Sequence, residues 1–341
     1  VGGWTFEAAE AVCNADDAQR IEVFDGIEIL IDNSLLQPPE EVDGELRLKM
    51  LETIREYASE QLALSRDEER TVQRKHAHYY LALAEQAEPE IHGVRQLWWL
   101  DRLEREHDNL RAALNRSIET GMSETALRFG AALWRFWEIR GYISEGRAWL
   151  ERALAMNSDA PAPLRAIGLQ GAGNLACQQG DYIQAKAIHE QSLALFRETG
   201  DQLGIARELD VLGEIAHYQG NYSQSVELHM ESLDLRRKIG DKEGIAVSLG
   251  HLGIIARDRG QYQQARELLE ESLELSRVLE DRLMTALSLN NLGLVAFYLC
   301  EYQRASELFE ESASLYRQLN DRPGISNVLQ NLGNVAKDQG Y

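Results

Sequence analysis

Residues 201–240 read DQLGIARELDVLGEIAHYQGNYSQSVELHMESLDLRRKIG, and residues 241–280, DKEGIAVSLGHLGIIARDRGQYQQARELLEESLELSRVLE, follow the same pattern. The same residue types recur with a 40-residue period on both sides of these two blocks, through the second half of the chain. The shared positions are Gly180, Gly220, Gly260, Cys300 and Gly340 with a tyrosine one or two residues later, the glycines Gly213, Gly253, Gly293 and Gly333, and the acids Asp201, Asp241, Asp281 and Asp321. A fixed period of this length predicts a solenoid or a propeller.

Within each block, the spacing of apolar residues predicts two antiparallel helices. In the first block we expect helix A from about Leu203 to Tyr218 and helix B from about Ser223 to Lys238. Glycine at 200 and 240 suits the left-handed residue that ends a helix, and the aspartate that follows can accept the free amides of the next helix. Glycine inside helix A costs roughly 1 kcal/mol against alanine, so we expect two helix backbones to approach closely there.

The order Leu-Gly-x-x-Ala, Gly-x-Tyr, Ala and Ser-Leu resembles the tetratricopeptide repeat. Leu212-Gly213, Ala216 and Ser232-Leu233 carry it in the first block. The repeat is similar to the 40-residue variety in kinesin light chains and LGN proteins, whereas HEAT repeats fit the small residues poorly. The resemblance implies an all-α fold, a right-handed α-solenoid of helix hairpins.

Residues 1–50 form a different kind of segment. We expect helices over 5–15 and 22–35, then a turn around Pro38-Pro39 and Asp43-Gly44 and the alternating run Leu46–Met50, which together suggest a β-hairpin. Such an order is typical of a winged-helix-like domain. Because residues 1–60 contain fifteen acids and four bases, a structural or autoinhibitory role is favoured over DNA binding.

Residues 51–121 are expected to form a helical linker with helices over Leu51–Leu64, Asp67–Glu88 and Val94–Glu119. Residues 122–160 are expected to form an atypical repeat unit, and 161–341 the regular array, which ends in a half repeat. Five of the six tryptophans fall between Trp98 and Trp149. A hydrophobic seam is the favoured interpretation of these aromatics, and a ligand pocket is the alternative.

A second resemblance covers the front half. The runs Met50–Ala58, Trp99–Leu114 and Leu133–Leu154 resemble the region that follows the ATPase in bacterial STAND regulators of the NB-ARC/AfsR-like or LuxR kind. The resemblance implies that the repeats sense an inducer or partner and relay it to a nucleotide switch, in signal transduction or transcription regulation. No G-x-x-x-x-G-K-[ST] motif occurs in these 341 residues, so we expect the switch to lie elsewhere in a longer protein.

Composition narrows the classes of partner. The formal net charge of −21 and pI near 4.8 argue against broad contact with nucleic acid or an anionic membrane. Cys13, Cys177 and Cys300 are far apart and odd in number, so we expect reduced, packed cysteines in a cytoplasmic protein. No run is long enough to span a bilayer.

The sequence indicates no catalytic residue, no metal ligand and no cofactor. The eight histidines are scattered, and the close pair His76 and His78 points in different directions on a helix. We therefore expect a non-catalytic chain. A small-molecule enzyme would require a ligand at the Trp98–Trp149 seam.

By analogy with the family, fixed positions around the repeat glycine face the concave groove lined by the A helices. Asparagine there can pair with an extended peptide backbone, because its amide both donates and accepts. The candidate partner-binding residues are Asn174, Asp210, Glu214, His217, His251, Arg257, Asn290, Asn291, Tyr298, Asn331, Asn334 and Lys337. The missing lysine three residues before the glycine makes chaperone C-termini poor candidates.

Two functions remain open. The first is the sensor and interaction region of a STAND regulator, whose partners would be a protein, a peptide or a small inducer, and the nucleotide-binding domain of the same parent protein. The alternative is a stand-alone scaffold that binds extended peptides.

Overall fold

The computed structural model describes residues 2–13, 23–42, 44–92, 95–156 and 160–339. The chain divides into two compact units, Val1–Ile188 and His189–Tyr341. Each unit is described by itself below.

A small antiparallel sheet opens the first unit. Strand β1 (Trp4–Thr5) is followed by helices α1 (Phe6–Cys13) and α2 (Val23–Asp32) and by strands β2 (Glu40–Val42) and β3 (Glu45–Leu48). The strand order is β1-β3-β2, which confirms the hairpin. Thr5 was expected in a helix, but it pairs with Arg47 in β3, so that the helix starts one residue later; Asp43 of the predicted turn lies outside the described residues.

The linker helices are α3 (Glu52–Ala63), α4 (Arg66–Ala87), a short 3-10 turn (Pro89–His92), α5 (Gln96–Arg105) and α6 (His107–Glu119). The single helix expected over Val94–Glu119 is wrong, because Glu106 leaves the helical conformation and separates α5 from α6. Glu106 is buried, where it pairs with Arg47 and accepts a 2.7 Å hydrogen bond from Asn109. On α5, Leu100 and Leu103 are buried, whereas Leu97 is 72% exposed.

The first helix hairpin is α7 (Ser123–Arg140) with α8 (Ile143–Ala155), and α9 (Ala162–Gln178) packs on both. Trp137 is buried in this core, and its ring lies so close to Gly146 that an added Cβ would contact it at 2.6 Å. Trp99 is buried as well, whereas Trp98 is 43% exposed. Trp99 and Trp137 pack in the hydrophobic interior, as the seam interpretation predicts.

The second unit repeats the hairpin in strict register. After α10 (Tyr182–Thr199), the A helices each have 17 residues, and both the A helices and the B helices between them begin at a constant 40-residue interval. The A helices are α11 (Gln202–Tyr218), α13 (Lys242–Asp258), α15 (Arg282–Tyr298) and α17 (Arg322–Asp338), and the B helices are α12 (Tyr222–Ile239), α14 (Tyr262–Val278) and α16 (Tyr302–Gln318). Each B helix packs on the A helices before and after it, and successive A helices contact one another. This arrangement is the expected helical solenoid.

Capping fixes the register. The Oδ1 atom of Asp201 accepts a 2.9 Å hydrogen bond from the amide of Gly204, and Asp241, Asp281 and Asp321 repeat this contact at 3.0 Å. Gly200 and Gly240 have the predicted left-handed conformation. At three later junctions Glu280, Cys300 and Asn320 adopt the same positive φ, near 55–60°.

The glycines inside the A helices have a different role from the one expected. An added Cβ on Gly253 would lie 2.6 Å from Leu269, and one on Gly293 would lie 2.6 Å from Phe309. The glycine therefore makes room first for a large side chain of the B helix, and at Gly253 the backbone oxygen of Ala265 lies further away, 3.5 Å from the added atom. Gly333 has nothing within 4 Å of the added atom.

A row of buried serines joins helix A to helix B within each repeat. The hydroxyls of Ser232, Ser272 and Ser312 donate to the carbonyl oxygens of Ala206, Ala246 and Ala286, 26 residues earlier, at 2.7–2.9 Å. All three serines are fully buried. The same residue type thus makes the same contact inside each of the three helix pairs, and we name these contacts the serine ladder.

Two of the three cysteines are more exposed than the sequence predicted. All three cysteines are free, but Cys13 and Cys300 are exposed, so the expectation of packed cysteines is wrong for these two.

Among the described residues, no helix combines the length and the apolar character needed to cross a membrane.

Candidate partner-binding site

The predicted groove residues lie on the A helices, and we name their side of the second unit the A-helix face. Asn174 belongs to α9 in the first unit, where it is half-buried. The other eleven occupy α11, α13, α15 and α17. The structure therefore brings these eleven to one series of neighbouring helices.

Polar contacts connect the A helices along this face. The His217 ring lies 2.9 Å from the Asp258 carboxylate, Arg257 donates to Asn291 at 2.6 Å, and Asn331 donates to Asn290 at 2.9 Å. His251 and Glu214 are 3.3 Å apart. Each contact joins two helices of adjacent repeats.

The candidates differ in how much surface they offer. Asn290 and Asn291 are buried, and Asn291 already donates to the carbonyl oxygen of Leu287 at 2.9 Å. Asn334 and Lys337 are exposed. Tyr298 is 51% exposed and stacks on Tyr262, with ring centroids 5.4 Å apart and an interplanar angle of 14°. Exposed aromatic and charged groups thus share the face with asparagines that connect the helices.

A buried polar cluster lies behind the face at α11, α12 and α13. The Asp210 carboxylate lies 3.0 Å from Nδ1 of His229, accepts a 2.6 Å hydrogen bond from Arg236, and accepts another from Ser248 at 3.1 Å. Arg236 also donates to Asp241 at 2.8 Å. A Cβ on Gly213 would lie 2.6 Å from Nε2 of His229, so this glycine makes room for the imidazole.

The electrostatics of the cluster follow from its burial. Burial opposes ionisation of Asp210, but the hydrogen bond from His229 and the charge of Arg236 outweigh it and hold the pKa of this carboxyl below its ordinary value. Burial, and then the neighbouring imidazole of His229, lower the pKa of His251 to about 4. His251 is therefore a neutral imidazole at neutral pH.

His229 and Arg236 were not among the candidates, although the register contains a signal for them. The positions that match His229 in the next two repeats are Leu269 and Phe309, which are buried apolar side chains. The positions that match Arg236 are Ser276 and Tyr316. A charged side chain at Arg236 and an imidazole at His229, where the next two repeats have uncharged side chains, are the departures that could have identified both residues.

A second buried histidine, His189, occupies the position that matches His229 in the preceding repeat. Nδ1 of His189 lies 2.7 Å from the Glu208 carboxylate, and both side chains are fully buried. Buried ion pairs rarely add net stability over apolar residues of similar size. Two successive repeats therefore bury a polar pair at a position where the later repeats bury an apolar side chain.

The family model described as Tetratricopeptide repeat matches residues 164–238, 206–278, 244–318 and 283–340. Together these matches span 164–340, more than half of the chain. The chain belongs to the tetratricopeptide repeat family. The observed helix pairs and their 40-residue register agree with this assignment.

Curated relatives in Mycobacterium tuberculosis and Mycobacterium bovis carry the provisional name HTH-type transcriptional regulator. They are 31% identical to this chain over 221 residues, which cover 62% of this chain and 25% of theirs. The chain thus spans about a quarter of the length of these relatives.

Two solved structures show the same fold at low identity. The first is a Signal Transduction ATPase with Numerous Domains (STAND) protein with a tetratricopeptide repeat sensor from Pyrococcus horikoshii, with TM-score 0.54 and 16% identity over 97% of this chain and 50% of that one. The second is NprR in complex with its cognate peptide NprX, with TM-score 0.52 and 14% identity over 64% of this chain and 63% of that one. At these identities the likenesses show the fold alone, a helical array of the same kind.

Proposed function

We propose that this chain is the sensor region of a STAND-type signalling regulator. In this proposal the chain binds an inducer, a peptide or a protein on its A-helix face and relays binding to a nucleotide switch of the same parent protein. A tetratricopeptide array is a non-catalytic scaffold type, and the chain supports recognition rather than turnover. The similarity in fold to a STAND protein over 97% of this chain supports the proposal that the chain is part of such a regulator.

The observation that carries the proposal is the composition of the A-helix face. His217, Arg257 and Asn331 bridge adjacent repeats through single polar contacts, which a bound peptide could exchange for its own backbone groups. Tyr298 and Tyr218 present half or more of their surface. Aromatic residues and arginine are the side chains most enriched where proteins bind one another. The face therefore offers both backbone recognition and apolar anchors for a short extended segment.

Binding to the face is tested with an array of immobilised decapeptides and the fluorescently labelled chain. We expect Tyr298→Ala and the pair Asn334→Ala with Lys337→Ala each to weaken the strongest spots by about thirtyfold or more, since anchor residues cost about 2 kcal/mol or more. Arg237→Ala and Arg277→Ala form the matched control, because both arginines are half exposed on the B helices. Equal losses in the control, or no loss on the A-helix face, would contradict the proposed surface.

The relay is tested on the parent gene. We expect its reading frame to encode a G-x-x-x-x-G-K-[ST] motif ahead of the present residues, since that loop cradles nucleotide phosphates. A reading frame without it would refute the switch and leave the stand-alone scaffold as the function.

A further inference from the structure

We propose that Asp210, His229 and His251, with Glu214 at the opening, form a binding site for a divalent transition-metal ion of the Zn²⁺ class. One ligand atom from each of the first three residues lies within 4.8 Å of the others. Ligands bonded to one zinc at about 2.0 Å are roughly 3.3 Å apart. The longest separation exceeds this value by about 1.5 Å, so side-chain shifts of that order would bring three ligands into the shell of one ion and leave a fourth position open.

The donor atoms fit this class of ion. Two imidazoles and a carboxylate are ligands that zinc prefers, whereas Mg²⁺ and Ca²⁺ prefer shells of oxygen. The Nδ1 atom of His251 is buried without a hydrogen-bond partner. An imidazole nitrogen without a hydrogen-bond partner can donate its lone pair to a metal ion.

The charges around the site also fit a dication. The carboxylates of Asp210 and Asp241 contact the guanidinium of Arg236, and that of Glu214 lies beside His251, whose ring centroid is 4.8 Å from that of His229. The formal charges of these three carboxylates and one guanidinium sum to −2. The Glu214 side chain is 43% exposed and that of His251 is 25% exposed, which gives an ion a path from the A-helix face.

Folding alone does not explain these residues. The positions that match Asp210, His229 and His251 in the next repeat are Gly250, Leu269 and Asn291, and that repeat forms the same helix hairpin. Burying ionisable groups is costly where apolar ones would suffice. The three residues lie on three different helices, 19 and 22 positions apart. Their spacing along the chain therefore gives no sign of a metal site.

The test is equilibrium binding of ZnCl₂ to the full 341-residue chain after removal of metal with EDTA, by isothermal titration calorimetry at pH 7.5, with Mg²⁺ in a parallel titration. We expect one Zn²⁺ per chain and no Mg²⁺ binding. His251→Gln should weaken Zn²⁺ binding at least about tenfold and Glu214→Gln about tenfold, in line with losses at metal-site residues. Both side chains are partly exposed, so the variants should fold, which circular dichroism checks.

The matched control is His217→Gln. His217 is another partly exposed histidine of the A-helix face beside a carboxylate, that of Asp258, but it lies outside the site. We expect its Zn²⁺ affinity to equal that of the unmodified chain. Failure of the unmodified chain to bind Zn²⁺, unchanged binding in His251→Gln, or an equal loss in His217→Gln would overturn the proposal. None of these outcomes depends on peptide binding.

Discussion

At the scale of single residues, adjacent arginines on α12 show how strongly burial changes the role of a charge. Arg236 is buried and contacts Asp210 and Asp241, whereas Arg237 is half exposed and pairs with Glu271 at 3.1 Å. Removing one partner of a buried pair leaves the other charge without compensation, while an exposed pair contributes little. The two positions therefore form a direct comparison.

We expect Arg236→Met to destabilise the second unit by about 3–5 kcal/mol and Arg237→Met by about 1 kcal/mol or less. Native-state hydrogen exchange of α11–α13, read by mass spectrometry, measures both. Adding Asp210→Asn to Arg236→Met removes the stranded carboxylate and should recover part of the loss. Similar losses for both arginines would show that the cluster is not an energetic unit.

His76 in α4 predicts a pH dependence of the first unit. Burial lowers its pKa from the ordinary 6.5 to about 4, so that between these values the unfolded chain binds a proton that the folded chain does not. The free energy of unfolding should consequently fall as the pH falls from 6.5 to 4. His76→Gln should make this fall less steep, with a remainder from His107, whose pKa burial also lowers.

Urea unfolding followed by tryptophan fluorescence measures this dependence in the first unit, since all six tryptophans lie between residues 4 and 149. His78→Gln is the control, because His78 lies two positions away on the same helix and is exposed. A slope that His76→Gln leaves unchanged would assign the acid sensitivity to another group.

At the scale of the helix, the repeat glycine has one of two effects according to what faces it. Gly253 faces Leu269, so an added methyl group overpacks the hairpin, whereas Gly333 faces open space. We expect Gly253→Ala to cost about 1–3 kcal/mol. Gly333→Ala should instead stabilise α17 by roughly 1 kcal/mol, through helix propensity.

Hydrogen exchange of α13 and α17 distinguishes the two effects, and each variant is the control for the other. A loss of protection in both helices would mean that close backbone packing, as first expected, sets the requirement for glycine.

Sequence periodicity predicted the helix hairpins and their caps, because these depend on residues that are close to one another along the chain. Asp201 and Gly240 are examples, since capping is local. The break at Glu106 could not be predicted, because the buried partner of its carboxylate is Arg47, 59 residues away along the chain. Nor could the Asp210–His229–His251 grouping, which exists only after α11, α12 and α13 have packed. Eleven of the twelve site candidates lie on α11, α13, α15 and α17 because the 40-residue register places them there, but their exposure depends on neighbours across the repeats.

At the scale of the second unit, the register makes whole repeats exchangeable. Removing Asp281–Asn320 joins Glu280, a left-handed junction residue, to Asp321, a capping aspartate, as at the natural junctions. Because stability in a repeat array is a sum of unit and neighbour terms, we expect this shortened chain to fold with a lower thermal midpoint and unchanged helicity per residue.

Circular dichroism in the far ultraviolet measures both quantities. The control removes Asp281–Cys300 instead, half of one repeat, which would place B helix directly after B helix and should lower the helicity per residue. Equal helicity in the two shortened chains would argue that the register does not govern packing.

The serine ladder also has a mechanical consequence. Its hydrogen bonds at Ser232, Ser272 and Ser312 each join the two helices of one repeat, so that the repeats are similar units connected one after another. In such a series the compliances between neighbouring units add. We therefore expect a small change of angle that a ligand imposes between repeats to accumulate, so that the ends of the second unit move further than any single contact in it.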